Sequence, residues 1–159
     1  MLVRPGDTVE TGPKSEVIYV IGEDAFLQRA DTRASFGAET AAAFMRVVTG
    51  KILSVFGKRE RRRNLLLPTA TIGIRGTGCY IESGARRSYF CLCYGDVELQ
   101  PKHERPLVYQ TQHHENPLWI ENGITARAPV INHTDAELAM LEALVDRQPP
   151  FSPFGGGKY

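Results

Sequence analysis

The sequence predicts a mostly β fold: a β-sandwich or β-roll-like domain with one C-terminal α-helix. Three observations point there. Turn signals recur at Pro5-Gly6-Asp7, Gly12-Pro13-Lys14, Gly22-Glu23-Asp24, Gly37, Gly50 and Gly57. The segments between them are short and rich in β-branched and aromatic residues, at a spacing of about 8–12 residues that favours a sandwich, roll or barrel over a helical bundle. Near the C-terminus the apolar period lengthens from two to about 3.6, behind a helix-start signal.

In chain order, strands are expected over 16–21, 25–29, 45–48 and 52–56, with a loop or single helical turn over 38–44. The basic run 58–63 contains Lys58, Arg59, Arg61, Arg62 and Arg63 and reads as a solvated loop, with a phosphate- or lipid-contacting loop as the alternative; no aromatic residues interleave to form a stacking platform. The clearest unit is a long hairpin. Segments 69–82 and 88–100 are both strand-like, and Ser83-Gly84-Ala85-Arg86 supplies the turn. Shorter strands are expected at 107–112, 118–120 and within 124–131. Thr134-Asp135-Ala136-Glu137 then forms a capping box: the Thr134 hydroxyl accepts from the Glu137 N–H while the Glu137 carboxylate reaches back. Leu138, Leu141 and Val145 continue a helical face that packs on the sheet, over 135–146, and Pro149-Pro150 ends it. The expected organisation is a β domain over 1–131, a packed helix within 132–148 and a Gly-rich tail over 149–159, mobile unless Phe151 or Phe154 docks.

Composition narrows the function classes. The chain has 159 residues and 17.7 kDa, suiting one domain large enough to bury a core without disulfides. Lys+Arg is 19 and Asp+Glu is 18, so the net charge of +1 favours no nucleic-acid partner. No apolar run approaches the roughly 20 residues of a membrane span, so no membrane insertion is expected. Catalytic patterns are missing: no Gly-x-Ser-x-Gly elbow, no phosphate loop, no His-Glu-x-x-His. The expectation is a non-enzymatic protein; a Cys–His nucleophile built on Cys91 or Cys93 with His113 is a minor alternative.

The chemistry-bearing residues lie in the second half. Cys91 and Cys93 share one face of a strand, because side chains alternate. With the turn centred on Ala85, Cys79 lies opposite Cys91, and three thiols converge; a slip of one residue breaks this. His113 and His114 follow in the next connection, and a turn at Glu115-Asn116-Pro117 could aim either one inward. The expected site is therefore Cys79, Cys91 and Cys93 with His113 or His114, holding one transition-metal ion, zinc first, with copper or iron also suited to such soft donors. Two alternatives stay open: a Cys79–Cys91 cross-strand disulfide, and inert buried thiols. His133, just ahead of the helix, is as readily a helix-entry residue as a ligand, and His103 reads as exposed.

Leu67-Pro68-Thr69-Ala70-Thr71-Ile72-Gly73-Ile74-Arg75-Gly76-Thr77-Gly78 resembles the signature of the FecR-type domain, with its Arg-Gly-Thr core. The flanks at 3–18, 47–53 and 94–99 are similar to that family's other strand segments, so the resemblance covers roughly residues 1–100. It implies a mostly β, extracytoplasmic, periplasmic signalling module that meets another envelope protein, here in a short form without the N-terminal cytoplasmic region and membrane helix. On this reading the chain is a metal-binding or metal-sensing FecR-like module, or else a FecR-type interaction and relay domain whose cysteines are structural. Gly73, Gly76 and Gly78 suggest a bulge or close backbone approach, and Arg75, Gly76 and Thr77 are expected to be structural, with Arg75 pinning a neighbouring loop and ligand binding as the alternative.

Overall fold

The computed structural model describes residues 2–38 and 41–152. It is mostly β, with eleven strands and a single helix among the described residues. The strands are β1 (Thr8–Glu10), β2 (Val17–Ile21), β3 (Asp24–Gln28), β4 (Arg33–Phe36), β5 (Met45–Val55), β6 (Arg63–Leu66), β7 (Ala70–Ser83), β8 (Arg87–Pro101), β9 (Leu107–Thr111), β10 (Leu118–Glu121) and β11 (Ile124–Arg127). The helix α1 spans Asp135–Ala143.

All eleven strands are linked in one mixed sheet, in which β5 and β6 run parallel and the other ladders are antiparallel. Three long strands hold it together. β5 pairs with β4 through its first half and with β3 through its second. β7 pairs with β6 through residues 71–74 and with β5 through 78–83. β8 carries β7 on one side, and β9 and β10 at successive positions on the other.

The joint in this arrangement is the Arg75-Gly76-Thr77-Gly78 stretch, where the β7–β8 register shifts. Gly76 has φ +61 and Gly95, across the ladder, φ +102. A Cβ on Gly95 would lie 2.3 Å from the Gly76 carbonyl oxygen, and one on Gly78 would lie 2.4 Å from the Tyr94 ring. Glycine at these positions is what lets two backbones meet at the bulge. Arg75 departs from expectation. Its side chain is exposed and makes no hydrogen bond or ion pair among the described residues, so the bend is made by the glycines rather than by an arginine anchor.

Alternation along the strands separates two apolar cores. Phe26, Phe36, Ile52, Phe56, Ile72, Cys79, Ile81, Phe90 and Leu92 fill the interior of the rolled sheet. Ala25, Leu27, Leu53, Val55, Tyr80, Tyr89, Cys91 and Cys93 face the other way and are covered by Leu138 and Leu141 of α1. The expected helical face is thus the one that packs, with Val145 at its margin. The capping box forms as written: Thr134 Oγ1 accepts from the Glu137 N–H, and the Glu137 carboxylate accepts from the Thr134 N–H.

Two expectations need correction, and the condition set on the tail is met. Segments 45–48 and 52–56 are one strand, β5; Gly50 adopts φ +99 and lets the strand pass Thr32 without breaking. The short strands β1, β4 and β6 carry too few residues to show a period. The basic run is not a free solvated loop. Arg63 opens β6 and is buried, pairing with Asp24 at 2.8 Å and lying over the Phe44 ring at 4.0 Å, while Arg62 pairs with Asp96. Phe151 docks, its ring 4.5 Å from His113 and 5.9 Å from Tyr94; Phe154 lies outside the described residues.

Candidate metal centre

Four side chains meet where β8, the β9–β10 connection and the approach to α1 come together. Cys91 and Cys93 project from β8 toward the helix side and are fully buried. His114 comes from the turn after β9. It sits in the left-handed region at φ +52, its N–H donates to the Cys93 carbonyl at 2.9 Å, and this reversal swings its ring over the thiols. His133 precedes the Thr134 cap. The segment before it is strapped to β8 by the Tyr89 hydroxyl, which donates to the Pro129 carbonyl at 2.7 Å and accepts from the Ile131 N–H at 3.3 Å.

The inward atoms are close-set. Cys91 Sγ lies 3.4 Å from His114 Nδ1, Cys93 Sγ 3.4 Å from His133 Nε2, the two sulfurs 4.0 Å apart and the two nitrogens 3.2 Å apart. All four donor atoms fall within 4.8 Å of one another. A tetrahedral zinc with Zn–S of about 2.3 Å and Zn–N of about 2.05 Å sets edges of about 3.8 Å for S–S, 3.6 Å for S–N and 3.3 Å for N–N. These four separations match that set to within a few tenths of an ångström, and the other two S–N separations lie within 4.8 Å.

The outer nitrogens fix the tautomers. His133 Nδ1 lies 2.6 Å from the Ile131 carbonyl oxygen, which can only accept, so Nδ1 carries the proton and Nε2 offers its lone pair inward. His114 Nε2–H donates to Asp135 Oδ1 at 2.8 Å, leaving Nδ1 free to face the sulfurs. Metal-ligating histidines are commonly oriented by such outer partners. The hydrogen bond from the Cys93 thiol pulls Cys91 well below the ordinary thiol range against the effect of burial, with His114 and His133 adding to it. Burial and the adjacent Cys91 sulfur push Cys93 the other way. Burial alone would lower His114, but hydrogen bonds with Cys91 and Asp135 raise it.

Cys79 does not belong to this cluster. The hairpin turn is Gly84-Ala85-Arg86 but its register places Cys79 opposite Leu92 and Tyr80 opposite Cys91. That one-residue slip sends Cys79 into the sheet interior beside Ile81 and Leu92. The same slip removes the Cys79–Cys91 disulfide, and all three cysteines are free thiols. His113 is also outside: it reaches the carboxylate of Asp135 at 2.6 Å, and His114 is the one of the pair that meets the thiols. His133 replaces Cys79 as the fourth donor. Its sequence signal is faint, a lone histidine before a cap; the Tyr89 strap, the Tyr80 ring and the docking of α1 make it a neighbour of β8. His103 is exposed, as expected.

The rolled sheet has counterparts among solved structures. Two crystal structures, at 1.65 and 2.50 Å, of a candidate anti-sigma factor from Parabacteroides distasonis ATCC 8503 share this architecture, with TM-scores of 0.65 and 0.64. Each is 9% identical to this chain; the match covers 77% of this chain and 59% of theirs. The likeness is one of fold. No family profile and no curated protein matches the chain.

Proposed function

We propose that the chain is a non-enzymatic, FecR-like signal-relay module in which one transition-metal ion, most suitably zinc, ties the capped helix to the sheet through Cys91, Cys93, His114 and His133. The observation that carries the reading is the donor geometry: two thiols and two imidazoles at tetrahedral spacing, with both outer ring nitrogens already held. Two sulfurs and two nitrogens form a closed set with no position for substrate, the arrangement of structural rather than catalytic sites. An ion there would join β8, the β9–β10 connection and the start of α1, so its loss would loosen the helix from the strands. The relay role rests on the shared fold with a candidate anti-sigma factor and on the Arg75-Gly76-Thr77 resemblance. The same resemblance supports a periplasmic setting and an envelope protein as partner.

A second reading keeps the relay role and makes the cysteines inert packing. Burial of both thiols favours it. Elemental analysis of protein purified without a chelating column separates the two. The metal reading expects zinc, copper or iron in the purified chain, with a thiolate-bound share of about one ion per chain that is lost in Cys91→Ser. Absence of metal, with thiols that take no Co(II), overturns it in favour of the packing reading.

A further inference from the structure

His114 has a second ring nitrogen, and it faces a second set of donors. On the outward side, His113 Nε2 and His114 Nε2 converge on the two oxygens of one carboxylate, at 2.6 Å to Asp135 Oδ2 and 2.8 Å to Asp135 Oδ1. One ligand atom from each of the three residues falls within 4.8 Å of the others. The two imidazoles are neighbours, with centroids 5.0 Å apart and planes tilted by 51°. His113 and Asp135 have half-exposed side chains, at 49% and 47%, whereas His114 is 10% exposed.

We propose that His113, His114 and Asp135 form a second, solvent-open metal site for a borderline divalent ion such as Cu(II) or Zn(II), sharing His114 with the buried thiol site. The donor chemistry selects the class: two imidazole nitrogens and one carboxylate oxygen suit these ions better than calcium or magnesium, which prefer all-oxygen shells. Bonds of about 2.0–2.1 Å set donors about 2.9 Å apart at right angles and about 3.3 Å apart in a tetrahedron. The present separations of 2.6 and 2.8 Å therefore have to open, by about 0.1–0.3 Å for a square-planar ion and about 0.5–0.7 Å for a tetrahedral one, which an exposed His113 can supply. Three protein donors leave at least one coordination position for water, and His113 itself lines an open cleft with Gln112, Arg75 and Phe151. The outer site is thus open where the inner one is closed.

Proton balance fixes how the two sites communicate. The outer ion replaces the hydrogen that His114 Nε2 now donates to Asp135. With the inner ion on Nδ1, His114 becomes a bridging imidazolate and one proton leaves to solvent. His113 keeps a proton by holding it on Nδ1. With the inner site empty, the outer ion still has its three donors, so the site itself does not depend on the reading proposed above; only the shared imidazole does.

The test is a Co(II) titration of the metal-stripped full chain, followed by its visible spectrum, on wild type, His113→Ala and the double variant Cys91→Ser/Cys93→Ser. The expected result is two ions per chain in wild type, one with an intense thiolate-to-metal band and one with weak bands alone. His113→Ala, at an exposed position, should keep the thiolate band and lose or weaken the second ion by about tenfold or more, the range seen when a supporting group at a metal site is removed. Wild type binding one ion with the thiolate band, unchanged by His113→Ala, overturns the outer site and leaves the buried one standing. Binding of one ion without the thiolate band, lost in His113→Ala, supports the outer site and overturns the buried one. No binding by wild type overturns both. The double cysteine variant checks independence: retention of the weak-band ion supports the outer site, and its loss with the fold intact by circular dichroism overturns a site built on His113, His114 and Asp135.

Discussion

His133 lies nearly flat on Tyr80, with ring centroids 4.6 Å apart and planes tilted by 23°. Tyr80 faces Cys91 across the β7–β8 ladder, so one residue of the hairpin braces the imidazole while its ladder partner offers the thiol. Below the stack, Glu82 accepts from the Tyr80 hydroxyl at 2.7 Å and from the Asn132 amide at 2.7 Å, anchoring the residue before His133 as well. The fourth donor is therefore held by a ring face, a carbonyl and a neighbour's side chain, although it lies outside any strand or helix.

Bracing of this kind predicts a split between two Tyr80 variants. Tyr80→Phe keeps the ring face and leaves the Glu82–Asn132 bond, so Co(II) affinity should stay near the wild-type value. Tyr80→Leu removes the platform and should weaken Co(II) binding by about tenfold, as loss of an orienting partner does at other sites. Equal affinities for the two variants, measured by competition with a chelator, would show that His133 is not positioned by the stack.

The register of the hairpin predicts opposite behaviour for two cysteines. Cys93→Ser should abolish thiolate-dependent metal binding, because Cys93 Sγ stands 3.4 Å from His133 Nε2. Cys79→Ala should leave metal binding intact and lower stability by about 1 kcal/mol, through loss of a buried sulfur in the sheet interior. Metal loss in Cys79→Ala with the fold retained would contradict the observed facing of β7 and β8.

Helix docking is equally testable. Leu141 is fully buried against the outer face of the sheet, so Leu141→Ala should destabilise the chain by about 2–5 kcal/mol in urea unfolding. The loss should be shared by the metal site, whose His133 precedes the same helix. A cost below about 0.5 kcal/mol would mean that α1 contributes no burial, contrary to the cover it gives Leu27, Leu53 and Val55.

These variants also show what was legible in the sequence and what was not. The hairpin, the β-rich first half and the capped helix are local: alternation, turn residues and the Thr134–Glu137 box act within a few residues. Cys91 and Cys93 share a face by the same local rule. Cys79 failed because its face depends on register across the turn, where a single residue decides between Cys91 and Leu92. His133 and Asp135 escaped because their proximity to β8 is tertiary, set by the Tyr89 strap and the docking of α1. The buried Arg63–Asp24 pair was hidden for a like reason: Asp24 sits in a turn signal 39 residues away and gives no sign of a partner. Arg75 sits beside a bend that the geometry of Gly76, Gly78 and Gly95 accounts for, so its place in the Arg-Gly-Thr triplet is no sign of an anchor.

Glu142 is the one acidic residue on the buried face of α1, and it gives a pH dependence of definite sign. Its carboxylate accepts from the Tyr94 hydroxyl and from Arg147 Nε at 2.7 Å, and its side chain is 0% exposed. Burial raises its pKa above the ordinary value of 4.5; the Tyr94 hydrogen bond and the Arg147 charge lower it but do not cancel the rise. The folded chain then binds the proton more tightly than the unfolded chain. Stability from this group is fully present below about 4.5 and is lost as pH rises through the higher folded pKa. Glu142→Gln cannot titrate and keeps an acceptor for Tyr94, so other groups cancel in the comparison. The difference in unfolding free energy should shift toward wild type as pH falls from neutral to about 4.5, and level off below it. A shift toward Glu142→Gln over that interval would show that Arg147 holds the carboxylate ionised and that the ion pair, not burial, governs this end of the helix.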